Sequence, residues 1–374
     1  MAEVIRIAQV LNRMDSGGIE AVVMNYYRHI DRTKVQFDFY FTSDSLFPQK
    51  DELESMGAGI YKIPAYTKPI SYQRALRASF RKQKYRIVHT HLSTMSIFPL
   101  YAAWRAGVPV RICHNHSTAD WGEGQKTLLK YILRPFNKIF ANRWFACGER
   151  AGRWMYGNRA FDSGKVYVLP NAIDGEKFAF DVAARRELRK ELGIPEDSFV
   201  VGHVGRFTYA KNHPFLIEMF QRLLMEKPGA RLLLVGEGET EDETRRLVEK
   251  KNLQDYVIFT GVRQDVNKLY SAMDVFCLPS HYEGFALVAV EAQASGLACI
   301  CSRQVSGEID LSEHVTHLSI GKQDVSAWVN CILGFPMIDE RRMPSFSRHF
   351  SITYAAKQYQ EYLRENYEKA VPKS

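Results

Sequence analysis

Two glutamates, Glu283 and Glu291, stand eight positions apart in the run HYEGFALVAVEAQASGL, residues 281–297. Pro279 and Ser280 close an apolar strand over 274–278, Gly284 permits a tight turn, and the apolar stretch Phe285 to Val290 starts a predicted helix that Gly296 ends. Glu283 then lies in the loop ahead of the helix. With a start near Phe285, Glu291 falls less than about two turns inside. The N–H groups of residues 284–287 (Gly284, Phe285, Ala286, Leu287) lack intrahelical acceptors and are open to an anion. Upstream, the strand Phe199 to Val204 runs into Gly205-Arg206, and Lys211-Asn212-His213-Pro214 opens the next helix. Arginine presents a planar fork to phosphate oxygens and lysine a mobile point charge, a combination suited to a diphosphate whose charge must be held as a bond breaks. A solvated basic loop is the plainer reading of the same residues.

Other residues narrow the chemistry. Neither half of the chain has a strand followed by G-x-G-x-x-G, the dinucleotide fingerprint of nicotinamide and flavin enzymes; Gly17-Gly18 and Gly236-x-Gly238 are short turns instead. Glycines beyond the carboxyl ends of parallel strands let a ligand approach the backbone. His89-x-His91 and His114-x-His116 each end a strand, and residues i and i+2 share a strand face, so four imidazoles could gather a zinc ion. No carboxylate or cysteine completes a recognisable ligand set, so no metal is expected. The 6 cysteines sit mostly in apolar strand-like runs without zinc-type spacing and read as buried small hydrophobes.

The elements that must position these residues alternate twice. Strands are predicted near 4–10, 36–42, 59–63, 86–91, 110–114, 143–147 and 165–169, separated by helices such as Ile19 to His29 and Thr94 to Ala106. A second series near 199–205, 231–235, 257–260, 274–278, 298–301 and 317–320 alternates with helices such as 213–226 and 240–251. This rhythm predicts two α/β domains with doubly wound parallel sheets. The expected boundaries are 1–171, 172–349 and a final amphipathic helix within 350–374.

The ordered set of motifs resembles the retaining glycosyltransferases of the GT-B type whose signature is Glu, seven residues, Glu. The resemblance rests on Gly17-Gly18-Ile19-Glu20, the strand Ile87-Val88-His89-Thr90-His91, the linker Val168-Leu169-Pro170-Asn171-Ala172-Ile173-Asp174, Gly205-Arg206 with Lys211-Asn212, Gly236-Glu237-Gly238, Phe259-Thr260-Gly261 with Asp265, and Glu283 to Glu291. Within that family, GGIEAVVMNYYRHIDRTKVQFDF is similar to bacterial enzymes of exopolysaccharide and capsule synthesis. The resemblance implies two facing Rossmann-like domains with a central cleft and a last helix that returns to the first domain. It implies that Arg206, Lys211, Gly236, Gly238 and the N–H groups of Phe285, Ala286 and Leu287 hold a donor diphosphate, while Gly17 and Gly18 close over it from the acceptor side. Glu291 is implied to hydrogen-bond the ribose, Glu283 to face the transferred sugar, and one of His114 and His116, with His116 preferred, to stand beside that sugar. The loop with Arg263 and Gln264 is implied to touch the base through its backbone groups, a base that uracil, thymine or guanine would satisfy, with a uridine diphosphate sugar favoured. No cofactor beyond that co-substrate is implied. Two positions depart from the pattern: Ala172 stands where glycine is usual, and Arg303 where relatives often carry an acidic residue.

The net charge of +8 raises nucleic acid and membrane as partners. No nucleic-acid motif is present. The stretch LLKYILRPFNKIFANRWF, residues 128–145, interleaves Lys130, Arg134, Lys138 and Arg143 with large apolar residues, and Arg74 to Arg86 adds six positive charges. Such a helix can lie on an anionic membrane surface, where a polyprenyl-diphosphate-linked acceptor would be found; the alternative is a helix whose apolar side is core. A reducing cytoplasm, with peripheral binding to the inner face of the membrane, is the expected location. The rival functions are an epimerase of the same architecture, which needs acid/base carboxylates in the first domain, and a sugar-nucleotide-binding protein without turnover.

Overall fold

The computed structural model describes residues 4–15, 18–119, 124–335, 341–345 and 350–370. It divides into two compact units, Met1–Ile173 with Arg348–Ser374, and Asp174–Ser347.

The first unit runs β1 (Ile5–Val10), α1 (Gly18–His29), β2 (Val35–Thr42), α2 (Lys50–Ser55), β3 (Gly59–Ile63), α3 (Pro69–Gln83), β4 (Ile87–Thr90), α4 (Ile97–Ala106), β5 (Val110–Asn115), α5 (Gln125–Phe140), β6 (Arg143–Ala146), α6 (Glu149–Tyr156), α7 (Asn158–Asp162) and β7 (Val166–Val168). The second runs α8 (Val182–Glu191), β8 (Val200–Val204), α9 (His213–Glu226), β9 (Arg231–Val235), α10 (Glu241–Lys250), β10 (Val257–Phe259), α11 (Val266–Ala272), β11 (Val275–Leu278), α12 (Leu287–Ala294), β12 (Ala298–Ser302), β13 (Val315–Leu318) and α13 (Val325–Leu333). The last helix, α14 (Ile352–Lys369), belongs to the first unit.

Every strand pairing is parallel, in the orders β3-β2-β1-β4-β5-β6-β7 and β10-β9-β8-β11-β12-β13. These are two doubly wound, Rossmann-like sheets, as the alternation predicts. Strand order reverses between β1 and β4 in one and between β8 and β11 in the other, and ligands of open parallel sheets bind at such a reversal, beyond the carboxyl ends of the strands. The central strands are buried on both faces because helices cover both: β8 is buried throughout, and Phe215, Leu216, Met219, Phe220 and Leu223 of α9 pack over it with Trp328 of α13.

Helix and sheet of the second unit are also tied by charge. Arg185 and Arg189, one turn apart on α8, each place a guanidinium nitrogen 2.7 Å from a different oxygen of Asp274, at the entry of β11. The same carboxylate accepts the Val200 N–H at 2.7 Å, fixing the start of β8. In the first unit α14 lies against α1, with Tyr359 edge-on to Tyr26 at 5.4 Å and Asn366 accepting from Arg143 Nε at 2.8 Å.

Candidate functional site

At the β8/β11 reversal the sequence-distant cations and carboxylates meet. Lys211 Nζ lies 2.7 Å from Glu283 Oε1, and both side chains are mostly buried. Ser280, which the sequence reading overlooked, donates its hydroxyl to the same oxygen at 2.7 Å. Gly205 explains how Lys211 reaches across the strand exit, because a Cβ there would stand 2.9 Å from Lys211 Cε. Asn212 caps α9 in the left-handed region, at φ 54°, and the His281 N–H donates to Ala210 O at 2.8 Å, so the two loops are joined by backbone as well as by charge. Arg206 is exposed and its guanidinium has no protein partner among the described residues, which leaves an uncommitted fork beside the pair.

Gly236 and Gly238 have φ of 131° and 158°, and a Cβ on either would strike Gly205 O at 2.3 Å or Phe207 O at 2.4 Å. Here glycine lets the β9 exit loop lie directly on the β8 exit loop, sealed by Phe207 N–H to Glu237 O at 3.0 Å. The glycines therefore shape the floor under Arg206 as well as any approach of a ligand.

The helix carrying Glu291 begins at Leu287, two residues later than its apolar run suggests, because Phe285 and Ala286 pack inward as loop, both buried. The Leu287 N–H turns back to Phe285 O at 2.9 Å, so this donor is engaged within the chain rather than open. Gly284 is buried and makes its turn outside the left-handed region. Glu291 sits in the second turn, where Tyr270 of α11 donates to its Oε2 at 2.8 Å. Burial pushes the Glu291 carboxyl up to about 7, against the Tyr270 hydrogen bond and the attraction of Lys177 and Lys211. A ligand donating hydroxyls to it would favour the ionised form. Arg263 is committed elsewhere: it forks onto Asp265 at 2.8 Å and reaches Glu191 at 2.6 Å, so its guanidinium holds its own loop. Any contact of that loop with a base falls to its backbone.

In the first unit Gly18 is exposed at the start of α1, while Gly17 lies outside the described residues. His89, His91, His114 and His116 form a buried stack at the exits of β4 and β5, with ring centroids 3.9 Å apart for His114 and His116 and 4.2 Å for His89 and His91. Burial lowers all four, His116 to about 3, so the rings are neutral. Ligand nitrogens of His89, His91 and His114 fall within 4.8 Å of one another. His91, however, already uses both nitrogens, on Gln9 Oε1 at 2.8 Å and on His116 Nε2 at 2.9 Å. The trio thus fits a metal poorly, since zinc needs three or four undivided ligands drawn in to roughly 2 Å.

Comparison with known proteins settles the family. Residues 184–332 match the glycosyl transferases group 1 family and residues 16–177 the glycosyltransferase family 4. The chain is 36% identical over 334 residues, 87% of its length and 86% of the relative's, to EpsF of Bacillus subtilis (strain 168), whose name describes a glycosyltransferase. The chain belongs to the group 1 glycosyltransferases. An Escherichia coli relative named UDP-Gal:alpha-D-GlcNAc-diphosphoundecaprenol alpha-1,3-galactosyltransferase is 27% identical over 88% of this chain and 87% of its own. Among solved structures, Anabaena Alr3699/HepE in complex with UDP-glucose superposes with a TM-score of 0.80 at 20% identity, over 96% of this chain and 99% of that one, which establishes the GT-B fold class.

One surface of this glycosyltransferase departs from its sequence reading. On α5 the apolar residues Leu128, Leu129, Ile132, Phe136 and Ile139 face outward, Ile132 being 53% and Ile139 65% exposed. The cations point inward instead. Arg134 donates to Trp154 O at 2.8 Å and Lys138 to Tyr156 O at 2.7 Å, both carbonyls of the last turn of α6, and Arg143 holds Asn366. Three of the four expected surface charges therefore satisfy the end of α6 or dock α14, and what α5 presents is an apolar stripe. None of the described helices is long and apolar enough to cross a membrane.

Proposed function

We propose that this glycosyltransferase moves one sugar, with retention, from a uridine diphosphate sugar to a growing glycan on a polyprenyl diphosphate carrier, without a metal or other cofactor. The observation that carries this reading is the Lys211–Glu283 pair beside the uncommitted Arg206 at the β8/β11 reversal. The bond from the anomeric carbon to the diphosphate oxygen breaks, and a bond from the acceptor oxygen forms on the same face. The acceptor proton passes to the departing phosphate, whose growing negative charge Lys211 and Arg206 stabilise. Glu283, released from Lys211 as the lysine turns to phosphate, balances positive charge at the anomeric carbon. Glu291, set by Tyr270, accepts the ribose hydroxyls, and His116 stands beside the sugar. The donor and acceptor in the Escherichia coli relative's name support this choice of substrates, as does the UDP-glucose bound to the HepE neighbour.

The test is transfer from a panel of nucleotide sugars to a synthetic polyprenyl diphosphate glycan, with and without a chelator. Turnover with a uridine diphosphate sugar, unchanged by the chelator, is expected. Hydrolysis or epimerisation alone, or loss of activity that manganese or magnesium restores, would overturn the reading.

The α5 stripe, with Arg74, Arg81 and Lys82 exposed on α3 and Lys84 at its end, across the intervening α4, supports peripheral binding to a membrane surface at which such an acceptor is presented. Each apolar residue buried in lipid contributes on the order of 1.5 to 3 kcal/mol. The combined variant Ile132→Ser, Phe136→Ser, Ile139→Ser is expected to lose vesicle binding about tenfold or more, in neutral and anionic vesicles alike. Sedimentation in which the variant binds as well as wild type would show that α5 faces something other than lipid.

A further inference from the structure

The buried histidines are joined to Gln9 and Tyr359 by a chain of contacts whose hydrogens can be placed one by one. Gln9 is the penultimate residue of β1, Tyr359 comes from α14, and all six side chains belong to the first unit. Tyr359 OH lies 2.5 Å from His89 Nδ1 and 3.3 Å from Gln9 Nε2. The short contact has the length of an O–H donor, and the long one suits N–H rather than O–H, so Tyr359 donates to His89 and accepts from the Gln9 amide. The Gln9 carbonyl oxygen then faces His91 Nε2 at 2.8 Å, and a carbonyl can only accept. His91 is neutral in this carboxylate-free cluster, so with its proton on Nε2 its Nδ1 is bare. It must accept from His116 Nε2, 2.9 Å away. A neutral His116 protonated on Nε2 carries a lone pair on Nδ1. That atom is buried and has no partner among the described residues.

From this network we infer that Gln9 and His91 are positioning residues that lock His116 in its Nε2–H tautomer, holding Nδ1 as a hydrogen-bond acceptor for a hydroxyl of the transferred sugar. The second half rests on the placement of His116 beside the donor sugar; the first does not. The fit is to an O–H donor, because an unpartnered lone pair rejects a phosphate or carboxylate oxygen and welcomes a hydroxyl. Turning the Gln9 amide over would reverse every bond and put a proton on His116 Nδ1, which would then recognise an oxygen acceptor instead.

Nitrogen-15 NMR of histidine-labelled protein reads the tautomer directly. Wild type is expected to show His116 protonated at Nε2 and bare at Nδ1. Gln9→Met, which removes the acceptor, should give a mixture of tautomers, and Gln9→Glu, which keeps an acceptor oxygen, should restore the single form. A wild-type His116 protonated at Nδ1 overturns the lock, as does a tautomer indifferent to Gln9→Met; the wild-type spectrum decides this even where a variant does not fold. Binding of UDP, UDP-glucose and UDP-galactose tests the ligand. Gln9→Met is expected to weaken the preferred UDP-sugar by about three- to tenfold, the effect of one hydrogen bond, and to leave UDP unchanged. Equal loss for UDP and UDP-sugar, or no loss with the tautomer displaced, overturns the sugar contact while the lock stands.

Discussion

Lys211→Ala is expected to lower the rate of sugar transfer by about 2 to 4 kcal/mol, roughly 30- to 1,000-fold, with the protein still folded. The Lys211 ammonium is held at 2.7 Å by Glu283 in a mostly buried setting where charge interactions are stronger than in water. Removing it takes a counter-charge from the leaving diphosphate and also takes from Glu283 Oε1 its ammonium partner, while the Ser280 hydroxyl still donates to that oxygen. Single-turnover rates separate these effects from donor binding. Gly205→Ala is a useful companion, since its added Cβ would crowd the lysine stem 2.9 Å away and displace Nζ without deleting the charge. Arg206→Ala, lacking any protein partner to disturb, should slow transfer within the same 2 to 4 kcal/mol range, about, and spare stability. Transfer by Lys211→Ala within about threefold of wild type would falsify the assignment of this pair to the leaving group.

Asp274→Ala should be the most destabilising of the simple substitutions in the second unit, by about 3 to 5 kcal/mol. The carboxylate is inaccessible and bridges two guanidiniums that are themselves nearly buried, at 2.7 Å each. Without it Arg185, Arg189 and the nearby Arg341, 3.9 Å away, lose the carboxylate that they share, and the Val200 N–H loses its acceptor. For a unit of this size the thermal midpoint should fall by roughly 6 to 20 °C. Asp274→Asn keeps the shape but not the charge and should fall between wild type and Ala. A melt shifted by less than about 2 °C would mean that α8 and the sheet are held by packing alone.

Much of this was legible in the chain because it depends on local periodicity. The thirteen described strands and their helices follow from alternating apolar runs and glycine punctuation; strand edges differ by a residue or two, and the helix expected from Thr94 begins at Ile97 after a 3-10 turn. The α12 start was misjudged because apolar residues at 285 and 286 look the same whether they begin a helix or fill a loop. The α5 charges were misjudged for a related reason: spacing shows which residues share a face, but not whether that face meets solvent or the end of another helix. That Asp265 and Glu191 together hold the Arg263 guanidinium was likewise not legible from spacing, since Glu191 lies on a distant helix.

By itself, the sequence determined the two doubly wound sheets, the group of Arg206, Lys211, Glu283 and Glu291 as the charged residues worth weighing, and the histidine pairs at strand ends, since each is a matter of residue type and short-range spacing. Only the tertiary structure decided that Lys211 neutralises Glu283, that Tyr270 sets Glu291, that Asp274 binds α8 to its sheet, and that Gln9 and Tyr359, 350 residues apart in sequence, link His89 to His91. Those contacts join strand exits and helices far apart in the chain, and parallel strands bring such exits to one edge only after the crossovers have closed, so no local pattern encodes which partner a buried charge or ring nitrogen will find.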